Sequence, residues 1–167
     1  MQKQSGFTLI ELLLVLAIIG IISAIAIPAM LFQRARARDK AALGNMVGRI
    51  GDLTGQWDKG NEKGLASTTI ITSMQSYLVN TSAKDKNPWD GAQPAYNATL
   101  STVGVAATAS AFATSVAGLA SQRGQGIFAI QTPGGNGFGF IGGAVLLNAS
   151  SQSDTTPKVR TKVVGIE

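Results

Sequence analysis

Between Phe7 and Ile27 the chain carries one charge, Glu11, in a run of otherwise apolar and small residues. As a helix this stretch is roughly 32 Å long, enough to cross a bilayer. A secretory signal has a shorter apolar run followed by a small-residue cleavage site. Here no such site precedes Pro28 and the basic Arg34-Ala35-Arg36-Ala37-Arg38, so the segment is expected to stay in the membrane. The rest of the 167 residues leaves room for one domain with its own core.

Composition removes several functions. The chain has no Cys and no His. Disulfides and thiolate metal sites are therefore excluded, and the commonest general base and metal ligand are missing. No catalytic, metal or cofactor site is expected. Charged residues make up 14% and hydrophobic residues 45%, which is the reverse of a disordered chain. The net charge of +5 is mild for this length and does not by itself call for nucleic acid, although it leaves that partner open. With 6% aromatics, the core must be built mainly from Ala, Val, Ile and Leu.

Three residues of the apolar run are odd for a plain anchor. A carboxylate such as Glu11 costs roughly 2.5–3.5 kcal/mol inside the hydrocarbon on insertion scales. Gly20 and Pro28 are unfavourable in helices, and Pro28 removes the bond to the carbonyl of Ala24. One reading is a kinked anchor with a hydrated Glu11; the other gives Glu11 a partner. Arg34, Arg36, Arg38 and Lys40 follow the span, and the positive-inside rule would keep that side in the cytoplasm. The arginines stand two apart and so fan around the axis, as a collar at head-group level, as contacts between subunits, or as a solvated cluster.

Lys3-Gln4-Ser5-Gly6-Phe7-Thr8-Leu9-Ile10-Glu11, followed by a spanning run, resembles the start of type IV prepilins and of the pseudopilins of type II secretion. The likeness covers about the first 28 residues. It implies a leader over residues 1–6, cleavage after Gly6 and N-methylation of Phe7. Glu11, Gly20 and Pro28 fall at the family's assembly positions. The resemblance implies that Glu11 pairs with the Phe7 amine of a neighbouring subunit, which suits a buried carboxylate. It also places the chain beyond the span outside the cytoplasm, against the charge bias. The family's disulfide-bounded C-terminal loop has no counterpart; pairing of the Lys158–Val164 strand in the sheet is the expected substitute.

The fold class expected is α+β. A long N-terminal helix, membrane-spanning over 7–28 and amphipathic over 29–58, packs on a small antiparallel β-sheet head of residues 59–167, in a lollipop form. Leu43, Met46, Val47, Ile50, Leu53, Thr54 and Trp57 repeat at three and four, as one helix face does. Gly44, Gly48, Gly51 and Gly55 form a second stripe beside it, and each weakens a helix by about 1 kcal/mol relative to Ala. Close packing against the sheet or another subunit's helix would offset this; the alternative is a helix that ends near Gly51. A polar break over 58–64 stops at Gly60 and Gly64, and a second helix is expected near 66–79. Asn87-Pro88-Trp89-Asp90-Gly91 is a turn. Strands are expected over Tyr96–Val105, Ala111–Val116, Gly126–Gln131, Phe138–Leu147 and Lys158–Val164, with 106–122 equally readable as helix. Pro133-Gly134-Gly135-Asn136-Gly137 is a further turn.

Asp85 and Asp90 supply too few oxygens for calcium. Asn80, Asn97 and Asn148 open glycosylation-like triplets that argue mainly for exposed loops. Lys158, Arg160 and Lys162 alternate on one strand face, as a guarded sheet edge does.

The function expected is a structural subunit of a type IV pilus-like filament. It would be a single-pass inner-membrane precursor with a cytoplasmic N-terminus and then part of an extracellular fibre. Its partners would be other copies of itself in a helical homopolymer, the prepilin peptidase/methyltransferase, an inner-membrane platform with its assembly ATPase, and lipid before assembly. Two alternatives remain: a pseudopilin of a short periplasmic fibre, and a tethered binding module that never polymerises.

Overall fold

The computed structural model describes residues 6–82, 84–104, 108–120, 122–133, 139–147 and 158–167. The leader residues Lys3, Gln4 and Ser5, most of the 133–137 turn and the Asn148 triplet lie outside the described residues. The chain forms two compact units, Met1–Ala35 and Arg36–Glu167.

The first unit holds the opening half of α1, the helix Leu9–Glu62. Its large apolar side chains, from Phe7 and Leu9 through Met30 and Leu31, are all exposed. The most apolar 18-residue window has a mean hydropathy of 2.9 and no buried residue. The helix continues through Gly20 and Pro28 without a break in assignment.

In the second unit, α1 buries Ala42, Met46, Ile50, Leu53, Trp57 and Gly60. These recur every three or four residues and so share one helix face. Val47, expected on that face, is exposed at 43%, because its position turns it toward the rim. The helix runs beyond the expected residue 58 to Glu62, passing through Gly60. Gly60 is no stop: a Cβ there would lie 2.5 Å from the Ile70 side chain, so it is where α2 comes close. The stop is Gly64, whose φ of 65° suits glycine. The second helix, α2, spans Ser67–Ser82 and buries Ile70, Met74 and Leu78.

Among the described residues four strands follow: β1 Tyr96–Thr102, β2 Gly126–Gln131, β3 Gly139–Leu147 and β4 Lys158–Ile166. Their order in the sheet is β1-β2-β3-β4. The β2–β3 and β3–β4 pairs are antiparallel, and β4 pairs with β3 over its full length. This anchors the end of the chain as expected. The β1–β2 pair is parallel, so the sheet is mostly, not wholly, antiparallel. A parallel pair needs a crossover, and the expected strand Ala111–Val116 is that crossover: helix α3, Ala109–Ala117. Phe112 and Val116, both fully buried, are four apart, a spacing that fits one face of a strand or of a helix. The Ala-rich surroundings and the Thr108 hydroxyl, which accepts from the Ala111 N–H (3.2 Å), favour the helix.

The sheet is therefore covered on both faces. Tyr96, Leu100, Phe128, Ile130, Ile141, Val145, Leu147 and Ile166 join the α1 and α2 side chains in one core cluster. Ile127, Ala129 and Ala144 pack with Phe112 and Val116 on the other face. Two-sided burial explains why β2 is buried at every position.

Candidate functional site

The processing segment lies at the start of α1. Gly6, Phe7 and Thr8 precede the helix, and Phe7 is 80% exposed. A Cβ at Gly6 would meet nothing within 4 Å among the described residues. The Glu11 carboxylate accepts from the Thr8 amide (2.9 Å) and the Thr8 hydroxyl (2.7 Å). The Glu11 N–H in turn donates to the Thr8 hydroxyl oxygen (3.3 Å). Thr8 and Glu11 thus form a reciprocal capping box, which satisfies helix-end donors that have no partner within the helix. The motif is written in the sequence as Thr-x-x-Glu, yet reasoning from membrane cost alone leaves Glu11 without a partner in its own chain.

Gly44, Gly48, Gly51 and Gly55 do not meet the sheet. Among the described residues nothing stands within 4 Å of where their Cβ atoms would be. At 100° per residue they fall on the side of α1 opposite Met46, Ile50, Leu53 and Trp57, not beside the apolar stripe. The helix does not end there, so the four glycines stand on a helical face with no close neighbour at their Cβ positions among the described residues.

A cleft of about 270 Å³ adjoins this face, lined by Gly44, Asn45, Gly48, Arg49, Asp52 and Asp85. Arg49 fixes its polar side. It donates to Asp52 (3.0 Å), to the Tyr77 hydroxyl (2.6 Å) and to Asp85. The guanidinium also lies 5.1 Å from the Tyr96 ring centroid and 5.7 Å from that of Tyr77. Burial works against its charge, but the bond to Asp85 and attraction to the surrounding groups outweigh this and hold it above its ordinary pKa. Burial is also the main cause that raises the Tyr77 and Tyr96 hydroxyls above their usual value. Asp85 is thus engaged by Arg49, and Asp90 accepts from the Ala92 N–H (3.0 Å). No group of three metal-ligating side chains occurs among the described residues.

A long N-terminal helix, exposed and apolar over its first half, with a later stretch packed on a mostly antiparallel sheet, is the architecture of a pilin-like α+β protein. Residues 1–27 match the profile described as the prokaryotic N-terminal methylation motif. The chain is 35% identical over 112 residues to the fimbrial protein EcpC of Eikenella corrodens, covering 63% of this chain and 68% of that protein. It is 41% identical over 75 residues to a fimbrial protein of Neisseria meningitidis serogroup A, covering 41% of this chain and 44% of that one. It is 56% identical over 39 residues to the type IV wide pilus major component PilA4 of Thermus thermophilus, covering 23% and 30%. The matches thus span less than half of the Neisseria and Thermus proteins. No solved structure matches. The chain belongs to the type IV pilin family of fimbrial proteins.

Proposed function

We propose that the chain is a structural subunit of a type IV pilus-like filament, with no enzymatic activity of its own. It is made as a membrane-anchored precursor, cut after Gly6, methylated on the Phe7 amine and assembled through α1. The observation that carries this reading is the apolar stretch from Leu9 to Leu31, whose large apolar side chains are all exposed and which lies mostly within the methylation motif. Apolar surface of that extent needs a cover; lipid supplies it in the precursor and other copies of the helix supply it in the fibre. The relatives are two fimbrial proteins and a type IV wide pilus major component, which favours a surface pilus over a short periplasmic fibre.

In this reading Glu11 exchanges its partners in Thr8 for the freed Phe7 amine of a neighbour, and the ion pair sets the axial register. Gly20 and Pro28 weaken the helix where it leaves lipid for the fibre. Gly44, Gly48, Gly51 and Gly55 offer a smooth face on which another subunit's helix can approach closely. The peptidase/methyltransferase, the membrane platform and its ATPase supply the chemistry and the work. The N-terminus faces the cytoplasm in the precursor, and the head lies beyond the membrane.

Peptide mass spectrometry on sheared surface material and on membranes tests this. N-methylated Phe7 peptide abundant in the sheared fraction is the expected result. An intact Met1 terminus in both fractions would sink the reading.

A further inference from the structure

Three chain segments meet at Trp89. The guanidinium carbons of Arg38 and Arg123 lie 5.4 Å and 5.2 Å from its ring centroid. Its indole N–H donates to Asp39 (2.9 Å). The turn is held from behind: the Asn87 side chain accepts from the Trp89 N–H (2.9 Å) and donates to the Arg123 carbonyl (2.8 Å). Gly124, at φ 71°, lets the backbone pass so close that a Cβ would fall 2.5 Å from Asn87 Oδ1 and 2.6 Å from Trp89. The arrangement is therefore built in advance, by residues far apart in sequence.

Its chemistry is that of a surface meeting an anionic interface. Trp89 is half-buried, while Arg38 and Arg123 are exposed, and among the described residues neither arginine forms a salt bridge. Tryptophan is enriched where one side of the ring is apolar and the other wet. Guanidinium groups bind phosphate oxygens in pairs. The Asp39 carboxylate is bonded into the cluster through Trp89, and Arg36 and Lys40 lie near it in sequence.

Position in the chain points to lipid. Arg38 follows Ile27, the last residue of the apolar run, by eleven positions. Residues 27–38 lie within α1, and eleven residues of helix rise about 16 Å. A head-group layer of roughly 5–8 Å on each side of the hydrocarbon plus a Debye length of about 8–10 Å is of the same size as that rise. We propose that the Arg38–Trp89–Arg123 cluster is a docking surface for anionic lipid head groups, which it grips while the chain is a membrane-anchored precursor and releases on assembly. This rests on the precursor reading above. Release into a fibre then has an electrostatic component, set by the lipid and weakened by salt.

The test uses the full chain in nanodiscs, either of phosphatidylcholine alone or with phosphatidylglycerol, each doped with a head-group spin label. Quenching of Trp89 fluorescence is read. Trp57 is 1% exposed, and a Trp89→Phe variant supplies its background. Strong quenching is expected only with phosphatidylglycerol. Salt should reverse it, and Arg38→Gln with Arg123→Gln should weaken the lipid contact about five-fold per charge removed. A Lys59→Gln control should leave it unchanged. Equal quenching in both lipids would overturn the proposal. So would unchanged quenching in a double variant that melts normally, and loss of filament formation in that variant would then assign the cluster to a subunit contact. Failure of the chain to insert into either nanodisc would instead sink the precursor reading itself.

Discussion

Thr8 and Glu11 hold each other at the start of α1, the carboxylate taking two hydrogen bonds from Thr8 and the Thr8 hydroxyl taking one from the Glu11 amide. The box gives Glu11 a partner inside its own chain before any second subunit is present. Thr8→Val removes both hydroxyl bonds, so the first helical turn should fray, with faster amide exchange over residues 9–12 in lipid. Glu11→Ala removes the box and the carboxylate together. Both variants should be processed normally after Gly6. The valine variant should still form fibres in reduced amount, and the alanine variant should form none. Wild-type fibre yield from Glu11→Ala would end the pairing account.

Gly48 and Gly60 stand on one helix and should respond in opposite directions. Among the described residues nothing stands within 4 Å of a Cβ at Gly48, so Gly48→Leu should leave the head intact and add up to about 1 kcal/mol of helix propensity. Its melting temperature should rise while fibre yield falls, because the outward face no longer admits a neighbour's helix. At Gly60 a Cβ would press on Ile70, so Gly60→Ala should cost about 1–3 kcal/mol through overpacking. Thermal melts of the full chain in detergent, paired with shear yields, check both. A Gly48→Leu variant with unchanged fibre yield would leave the glycine face without a purpose.

These two glycines also mark what the sequence makes legible. The helix and its buried stripe follow from an apolar residue every three to four positions, and four of the five proposed strands follow from their Gly, Asn, Ser and Pro boundaries, since β2 is buried throughout and shows no alternation. Gly48 and Gly60 look alike in sequence; only the arrival of Ile70 from α2 separates them. The 111–116 stretch misleads because Phe112 and Val116 satisfy both periods, and the choice is made by what the second face of the sheet requires. The Thr8–Glu11 box is local and legible as Thr-x-x-Glu. The Arg49 and Trp89 clusters are not, since each joins groups from at least three separate stretches of chain.

Tyr96 is fully buried, and its hydroxyl meets no partner in good hydrogen-bond geometry among the described residues; the adjacent Thr81 hydroxyl, which donates to the Tyr77 carbonyl (2.8 Å), pulls its pKa down less than burial raises it. Burial raises the pKa of Tyr96, and of Tyr77, above the ordinary value of 10.0. The folded chain therefore keeps these protons to higher pH than the unfolded chain does. Their contribution to stability is intact below pH 10 and is lost as pH rises from there through the folded values. Denaturation midpoints should fall above about pH 10. Tyr96→Phe should flatten that fall and be nearly neutral at pH 7, since it removes an unsatisfied group. A loss above 2 kcal/mol at pH 7 would show that the hydroxyl has a partner.

The end of the chain supplies the last prediction. The Glu167 main-chain oxygen accepts from the Trp57 indole N–H (3.2 Å) and from the Asn61 amide (2.9 Å). One acceptor with two donors behaves differently from two separate bonds. Trp57→Phe or Asn61→Ala alone leaves the oxygen satisfied, so each single change should cost no more than about 1 kcal/mol in hydrogen bonding. Together they remove both donors, leave this exposed oxygen to water and free the last residues of β4, so the double variant should lose more than the sum of the two. A coupling energy of at least about 0.5 kcal/mol from a double-mutant cycle is expected, with faster amide exchange confined to the end of β4. Ile166→Ala, which empties a buried site in the same strand, should cost about 2–5 kcal/mol. Strict additivity of the two donor changes would mean that this end of the chain is held by β4 pairing alone.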